Sequence, residues 1–322
     1  MVPGSPEWLA VRREGVTAMD IVTVCGLSSW DSPYSLYWRK LGMIPEMEDS
    51  DRFRLGRDLE PLITDRWFEQ GPATMEDTAG RSALYRSADR PWQLATVDRT
   101  IDRHHAGELF SVYHHHAVLE LKSWADTDRH AWDDGPPAKV RAQVLWQMDT
   151  LDVSTGHVGV LFLPSGEFRS YVIEHDWAVI PDGPGVDDPC DICKDIKLLR
   201  EAGARFLQQI HGHMPPPGVD GSAATMAAVK ARFGTVDKTA TAVVAPEAWS
   251  IYADAAERAD YWTEVKQEAE ASLRELTEDA YKLEVDGQVV ALRIKFEAQV
   301  KAHTQSVDMI RRTPRKKETG DE

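Results

Sequence analysis

The sequence contains no uninterrupted apolar run of about eighteen residues, the length that a membrane-spanning helix needs. Its opening, MVPGSPEWLA, also lacks the basic, apolar and small-residue regions of a secretory signal peptide. We therefore expect a soluble, cytoplasmic protein that has no membrane partner.

Cysteine is scarce, since only Cys25, Cys190 and Cys193 occur in 322 residues. Three cysteines are too few for a disulfide scaffold and fit a reducing compartment. Cys190 and Cys193 have the spacing of a zinc ligand pair, but a structural zinc site needs four ligands and no second pair is nearby. Three cysteines are also too few for a four-cysteine iron–sulfur cluster, so no such cluster is expected.

Basic residues are in the minority, because 37 lysines and arginines accompany 53 aspartates and glutamates, for a formal net charge of −16. Proteins that bind nucleic acid usually carry a basic surface, so this balance counts against DNA as a partner. Acidic residues gathered around a metal ion would contribute to the same total, however, and a basic groove can lie on an acidic body. The 42% of hydrophobic residues is enough to fill a large core.

The N-terminal pattern predicts a helix around Trp8–Arg13, a break at Gly15 and a second helix that Thr17 could cap. Apolar residues recur at helical spacing over residues 54–70. Within that segment, Pro61 is expected either to kink the helix or to place its start near Glu60.

Strand-like segments follow, then a helix over residues 138–153 and a hairpin over residues 156–175. The resulting order of helices, strands, one helix and two more strands predicts an α/β or α+β fold. Its core would be a mixed central β-sheet flanked by helices.

The composition divides the chain into a main domain over residues 1–214 and a Pro/Gly/Ser-rich linker over residues 215–222. Residues 223–310 should then form a long helix and a β-hairpin that turns at Asp286–Gly287. Residues 311–322 are rich in charge and are expected to be a disordered, basic tail.

An acid and a base share one face of a predicted strand in AVLELKSW, residues 117–124. Side chains alternate between faces along a strand, so Glu120 and Lys122 point the same way. Asp98 interrupts the apolar strand just upstream, and pairing of the two strands would bring its carboxylate close to Glu120. Two close carboxylates repel unless a cation lies between them, and Mg²⁺ or Mn²⁺ suits oxygen ligands. Taken alone, such a pattern is more often a surface ion pair.

Further motifs in a fixed order make the pattern much more specific. These motifs are, in chain order, EWLAVRREGVTAMD, LGRDLEP, TVDRTI, LELKS and AQVLWQMD. With them, the chain resembles, across roughly residues 7–212, the PD-(D/E)XK nuclease superfamily, and within it the YqaJ and lambda-exonuclease-like viral recombinases.

The resemblance implies a restriction-endonuclease-like core and a catalytic role for each of several residues. The metal would be held by Asp98, Glu120, the backbone carbonyl of Leu121 and Glu60. Lys122 would assist the attacking water. Gln143 would orient the site or its water. Alternatively, Gln143 and Gln147, four residues apart on one helix face, could both line a polar seam.

The same resemblance assigns recognition of a DNA 5′-phosphate to Arg12, with Arg13 as the alternative, because guanidinium groups suit phosphate oxygens. Where the family usually has a serine after Thr-Ala, this chain has Met19, which has no hydrogen-bond donor. Either Thr17 supplies the hydroxyl or recognition of the end phosphate is weaker here.

The function implied is a Mg²⁺-dependent (or Mn²⁺-dependent) exonuclease that resects ends of double-stranded DNA from 5′ to 3′ in phage-type recombination. Its partners would be a single-strand annealing protein and further copies of the chain in a trimeric or tetrameric ring. An endonuclease with the same core and a non-cleaving protein that binds DNA or a partner are the alternatives.

Overall fold

The computed structural model describes residues 5–70, 75–77, 83–103, 117–175, 190–233, 239, 241–300 and 303–312. The chain divides into two compact units, Met1–Val236 and Asp237–Glu322. The helices are α1 (Pro6–Arg13), α2 (Ala18–Val24), α3 (Pro33–Lys40), α4 (Asp51–Gln70), α5 (Ala138–Leu151), α6 (Asp191–Ile210), α7 (Ala223–Arg232) and α8 (Pro246–Thr277). The strands are β1 (Met75–Asp77), β2 (Ala83–Arg86), β3 (Leu94–Val97), β4 (Arg99–Arg103), β5 (Ala117–Ala125), β6 (Thr155–Leu163), β7 (Phe168–Glu174), β8 (Lys282–Val285), β9 (Gln288–Val300) and β10 (His303–Arg312).

The central sheet of the first unit has the strand order β1-β4-β5-β6-β7. Strands β5 and β6 are parallel and the other neighbours are antiparallel, so the sheet is mixed, as the sequence predicts. Helix α4 packs against β5 and β6, and so does α5. The two helices contact opposite faces of β5, because side chains alternate between faces along a strand. Leu119 and Leu121 pack with Ile63 and Trp67 of α4. Val118 faces the other way, into the core that contains α5.

Helix α4 differs from the expectation at Pro61. It begins at Asp51 and runs through Pro61, so the prediction of a start near Glu60 is wrong. A proline in a helix interior costs about 3 kcal/mol. Burial of Ile63 and Trp67 against the sheet offsets that cost, and local sequence signals do not reveal such packing.

The first unit also extends past the expected linker at residues 215–222. Helix α7 packs on α3, where Ala228 contacts the cluster of Tyr34 and Ile44. The Thr225 hydroxyl donates a hydrogen bond to Ser32 Oγ at 2.7 Å. The residues that follow the Pro/Gly-rich segment therefore belong to the first unit up to Val236.

The second unit contains α8 and a sheet with the order β10-β9-β8. The predicted hairpin turn at Asp286–Gly287 is present, and both residues have the positive φ that a tight hairpin requires. Arg311 and Arg312 belong to β10, so their assignment to a disordered tail is wrong, because their backbone pairs with β9. Residues 313–322 lie outside the described residues. Among the described helices, none has the length and hydropathy to cross a membrane.

Candidate active site

Asp98 and Glu120 meet at the end of the β4–β5 ladder. Arg99 pairs with Leu119, so Asp98, one residue earlier, lies across from Glu120, one residue later. The Leu121 backbone N–H donates a hydrogen bond to Asp98 Oδ2 at 2.8 Å. Pairing of β4 with β5 thus places the two carboxylates of the predicted site together.

Lys122 lies on the same face of β5 as Glu120 and forms an ion pair with Glu120 Oε1. Its ammonium group also donates to Gln143 Oε1 at 3.1 Å, and Gln143 Nε2 donates to Glu120 Oε1 at 2.7 Å. Glu120 is buried at 2% exposure, and the Lys122 side chain is 23% exposed. One face of β5 therefore presents an acid and a base that pair directly and that both bind the amide of Gln143.

Gln147 also contacts Glu120, although the sequence assigns it no catalytic role. Its Nε2 donates to Glu120 Oε2 at 2.6 Å and to the Thr96 carbonyl at 3.2 Å, and its side chain is fully buried. Gln143 and Gln147 lie one helical turn apart on α5 and hold the two oxygens of one carboxylate. Their i, i+4 spacing was the available signal, although it does not by itself distinguish a catalytic pair from a polar seam.

Glu60 faces the same site from α4. Its carboxylate lies 3.9 Å from the Arg99 guanidinium, which also donates to the Asp98 backbone carbonyl at 2.6 Å. The charge of Glu60 contributes to raising the pKa of Asp98 and the pKa of Lys122. Glu60 therefore lies beside Arg99, near enough for its charge to act on Asp98 and Lys122.

Burial and repulsion perturb the ionisation of this cluster. Burial, followed by the charge of Glu120, raises the pKa of Asp98 well above its usual range. For Lys122, burial acts to lower the pKa, but Glu120 and then Asp98 outweigh it and raise the pKa. A cation between the carboxylates would relieve the repulsion. The donor set is made of carboxylate oxygens, so it fits Mg²⁺ or Mn²⁺.

A buried ion network fixes the helix that supplies both glutamines. Asp149 of α5 is 4% exposed and binds Arg90 at 3.1 Å, Gln93 at 2.8 Å and Arg200 at 3.0 Å. These partners come from the loop before β3 and from α6, so the network ties α5 to two other parts of the chain. It sets the position from which Gln143 and Gln147 reach Glu120.

The residues expected to bind a DNA end lie around the start of α2. Thr17 caps α2 in a reciprocal pair with Asp20, with Thr17 N to Asp20 Oδ2 at 2.8 Å and Asp20 N to Thr17 Oγ1 at 3.2 Å. Arg12 donates to Thr17 Oγ1 at 3.4 Å and stacks on Trp8, 4.2 Å from the ring centroid. Arg13 instead pairs with Glu46 at 2.6 Å.

A cleft of about 720 Å³ is lined by both arginines and extends as far as Thr96. Its lining includes Arg12, Met19, Lys40 and Thr96. Thr96 belongs to both regions, because its carbonyl accepts the hydrogen bond from Gln147. Met19 is half-exposed in the cleft, whereas Thr17 is buried, so Met19 is the more accessible of the two.

Comparison with known proteins relates part of the chain to a known domain family. Residues 7–157 match the family model of the YqaJ-like viral recombinase domain. This part of the chain is similar to a YqaJ-like viral recombinase domain. The match confirms the resemblance, and its range contains Glu60, Asp98, Glu120, Lys122 and both glutamines of α5.

Individual relatives of the YqaJ-like domain are more distant. The uncharacterized protein YqaJ of Bacillus subtilis (strain 168) is 30% identical over 129 residues, which are 40% of this chain and 36% of that protein. The chain thus matches just over a third of the length of this relative.

Among solved structures, LHK-Exo in complex with dAMP is similar over 65% of this chain and 94% of its own, at 16% identity and a TM-score of 0.46. LHK-Exo is an alkaline exonuclease from Laribacter hongkongensis. A phage-related exonuclease from Haemophilus somnus 129PT covers 62% of this chain and 96% of its own, at 11% identity and a TM-score of 0.39. These similarities are too low to transfer function, so the assignment rests on the family model.

Proposed function

We propose that this protein is a Mg²⁺- or Mn²⁺-dependent exonuclease that hydrolyses phosphodiester bonds at the ends of double-stranded DNA. The observation that carries the proposal is the cluster of the buried Glu120 with the half-buried Asp98 and Lys122, in which burial and repulsion raise the pKa of Asp98. A pair of repelling carboxylates beside a lysine suits an enzyme that must hold a divalent cation next to a basic group.

In this proposal Asp98, Glu120, the Leu121 carbonyl and Glu60 hold the metal. When bound, the metal supplies Lewis-acid assistance at the phosphate and a lower pKa for water. Lys122 donates its N–H groups to the attacking water or to a non-bridging phosphate oxygen, and the negative charges of Glu120 and Asp98 keep it protonated. Gln143 and Gln147 fix both oxygens of Glu120, so this carboxylate does not have to reorganise during the reaction.

The cleft beside the cluster accommodates the end of the substrate. Arg12 binds the 5′-terminal phosphate, and the Trp8 ring and the Thr17 hydroxyl hold its guanidinium in place. We extend the proposal to resection from 5′ to 3′ in the cytoplasm of a host cell during phage-type recombination, with a single-strand annealing protein as partner. A trimeric or tetrameric ring around DNA would keep an acidic chain on its substrate with few phosphate contacts.

The test is digestion of linear and closed-circular duplex DNA with Mg²⁺, with Mn²⁺ and with EDTA, using wild type and Asp98→Asn. We expect wild type to degrade only linear DNA and only with metal, and Asp98→Asn to be inactive. Nicked circles would identify an endonuclease instead, and retarded but intact DNA would identify a binding protein.

Two further measurements address polarity and assembly. On duplexes labelled at one end, a 5′-to-3′ enzyme releases a 5′ label as mononucleotide from the start, whereas a 3′ label stays on a long strand. Light scattering at micromolar concentration should give a trimer or tetramer mass. Processive digestion by a monomer would contradict the ring.

A further inference from the structure

A second cluster of ligating side chains lies where β7 meets the start of α6. His175 directly follows β7, Cys190 is the N-cap of α6, and Cys193 lies in its first turn. The Cys190 sulfur is 3.7 Å from His175 Nδ1, the Cys193 sulfur is 3.6 Å from His175 Nε2, and the two sulfurs are 3.0 Å apart. His175 and Cys193 are buried, and Cys190 is exposed. The ligand atoms lie within 4.8 Å of one another.

We propose that His175, Cys190 and Cys193 bind one Zn²⁺ ion, with a water molecule as the fourth ligand. Two thiolates and one imidazole are the nitrogen and sulfur donors that zinc prefers, whereas Mg²⁺ and Mn²⁺ prefer oxygen. The site therefore selects a different ion from the carboxylate cluster and is independent of the proposed nuclease chemistry.

The spacing of the ligands suits a tetrahedral ion. Zinc bonds of about 2.3 Å to sulfur and about 2.0 Å to nitrogen imply sulfur–nitrogen separations of roughly 3.5 Å and a sulfur–sulfur separation of roughly 3.8 Å. The Cys193 sulfur, 3.6 Å from His175 Nε2, already has this separation, whereas the Cys190 sulfur lies 3.7 Å from the other ring nitrogen, Nδ1, and must move towards Nε2. The sulfurs, at 3.0 Å, must move apart by less than one ångström, and the exposed Cys190 side chain has room to do so.

Burial and the neighbouring Cys190 raise the pKa of Cys193 to about 11, so a bound ion must displace the thiol proton and stabilise the thiolates of Cys190 and Cys193. Both lie at the N-terminus of a 20-residue helix, where the helix dipole and the free backbone N–H groups stabilise negative charge. The Cys193 N–H already donates to the Cys190 sulfur at 3.3 Å. His175 is fixed by its backbone N–H, which donates to the Ser154 carbonyl at 2.8 Å.

A bound ion would join two elements that the sequence separates by residues 176–189. It would fasten the end of β7 to α6, and α6 in turn packs on α5 through the Arg141–Asp195 ion pair at 3.0 Å. Closing the intervening segment would stabilise the fold by removing conformational freedom from the unfolded chain. The ion would thus help to fix α6 against the helix that carries Gln143 and Gln147.

The test measures metal in untagged protein purified without chelator and then dialysed against EDTA-free buffer that contains Mg²⁺. Mass spectrometry of the elements should find one zinc per chain in wild type. Cys190→Ser and His175→Ala should lose it. Cys25→Ser, which removes the cysteine outside the cluster, is the matched control and should retain it.

Cobalt replacement supplies a readout that does not depend on either variant folding well. Co²⁺ in the wild-type site should give the intense visible bands of a tetrahedral ion and a thiolate charge-transfer band in the near ultraviolet, and Cys190→Ser should weaken the latter. Wild type that contains no zinc and gives no thiolate–cobalt band would overturn the proposal. A Cys190–Cys193 disulfide in anaerobically purified protein, or iron with sulfide in place of zinc, would overturn it as well.

Discussion

Gln147 and Glu120 are joined by a hydrogen bond of 2.6 Å from the buried amide to one carboxylate oxygen, while Gln143 binds the other oxygen. Oε2 keeps a lone pair that can face a cation, because a carboxylate oxygen has about two acceptor sites, whereas Oε1 accepts from both Gln143 and Lys122. The two glutamines therefore orient Glu120 without using up its capacity as a ligand.

Replacing Gln147 with methionine, which has a similar volume and no N–H donor, should release Oε2 of Glu120. Groups that orient a metal ligand are typically worth about 10- to 100-fold in metal affinity or activity. We expect a loss of this size in the rate of DNA cleavage at fixed Mg²⁺, partly restored by higher Mg²⁺. Gln208→Met, on an exposed position of α6, is the control, and equal losses in the two variants would remove Gln147 from the site.

The contact between Gln147 and Glu120 could not be predicted from the sequence alone. The elements that carry Asp98, Glu120, Lys122 and Gln143 follow from local patterns, since alternation and helical spacing fix which side chains share a face. Which faces meet depends on register and helix packing, which are long-range properties. The Asp149 network that places α5 joins residues separated by more than fifty positions, so no local pattern predicts it.

The same reasoning explains the differences at Pro61 and at α7. Sequence rules assign a helix boundary to proline and a linker to a Pro/Gly-rich segment because they consider only neighbouring residues. In the structure, contacts of α4 with the sheet and of α7 with α3 outweigh those local preferences. Local sequence likewise does not reveal that His175 belongs to the proposed zinc site, because only the fold brings His175 next to Cys190 and Cys193.

Asp98→Asn should stabilise the metal-free protein at neutral pH. The pKa of Asp98 is raised in the folded state, so ionising it there costs free energy that the unfolded chain does not lose. This cost is absent below the ordinary pKa of an aspartate, grows as the pH rises towards the folded-state value, and is complete above it. The asparagine amide oxygen can still accept the hydrogen bond from Leu121.

Urea midpoints measured with EDTA between about pH 4 and pH 8 test this prediction. The free energy of unfolding of Asp98→Asn should increase relative to that of wild type as the pH rises. Added Mg²⁺ should stabilise wild type more than the variant. Asp126→Asn is a control of opposite sign, because hydrogen bonds from Ser165 lower the pKa of Asp126. That variant should lose stability at neutral pH and approach wild type in acid. A stability gain of Asp98→Asn that does not depend on pH would contradict the electrostatic origin.

Lys122→Ala should abolish hydrolysis and keep most of the affinity for Mg²⁺, because an ammonium group is a donor and not a metal ligand. Lys122→Arg should not restore the rate, since the longer planar group does not reproduce a compact donor beside Glu120 and Gln143. Calorimetric titration with Mg²⁺ and single-turnover cleavage separate the two roles. Collapse of Mg²⁺ binding in Lys122→Ala would mean that the lysine organises the metal site.

Gly156→Ala should destabilise the protein although the added group is a single methyl. A Cβ atom at this position of β6 would lie 2.4 Å from Val144 Cγ1 and 2.8 Å from the Met148 sulfur, so α5 would have to shift. Overpacking of this kind costs about 1–3 kcal/mol. Gly56→Ala is the matched control, because that position is inside α4 with nothing within 4 Å of the new methyl, and alanine should stabilise the helix by about 0.5–1 kcal/mol. Chemical denaturation of the two variants should therefore give changes of opposite sign.

The last prediction concerns Arg12 and the accessible Met19 at the same cleft. If Arg12 binds a terminal phosphate, 5′-phosphorylated duplex should be digested faster than 5′-hydroxyl duplex, and Arg12→Ala should remove the difference. One charge-assisted contact is worth about 1.5–3 kcal/mol, or roughly 10- to 150-fold in rate if it acts only in the transition state. The effect should lie at the low end, because Thr17 is buried as a helix cap and Met19 offers no donor.

Met19→Ser should widen the preference by adding a hydroxyl where the side chain is half-exposed in the cleft. Arg13→Ala is the control, since Arg13 is engaged by Glu46 on the surface and its loss should leave the preference unchanged. Single-turnover rates on both substrates for the four proteins decide the assignment. Equal rates for the two substrates in wild type would mean that Arg12 does not bind the terminal phosphate. A preference that is lost only in Arg13→Ala would assign phosphate binding to Arg13 instead.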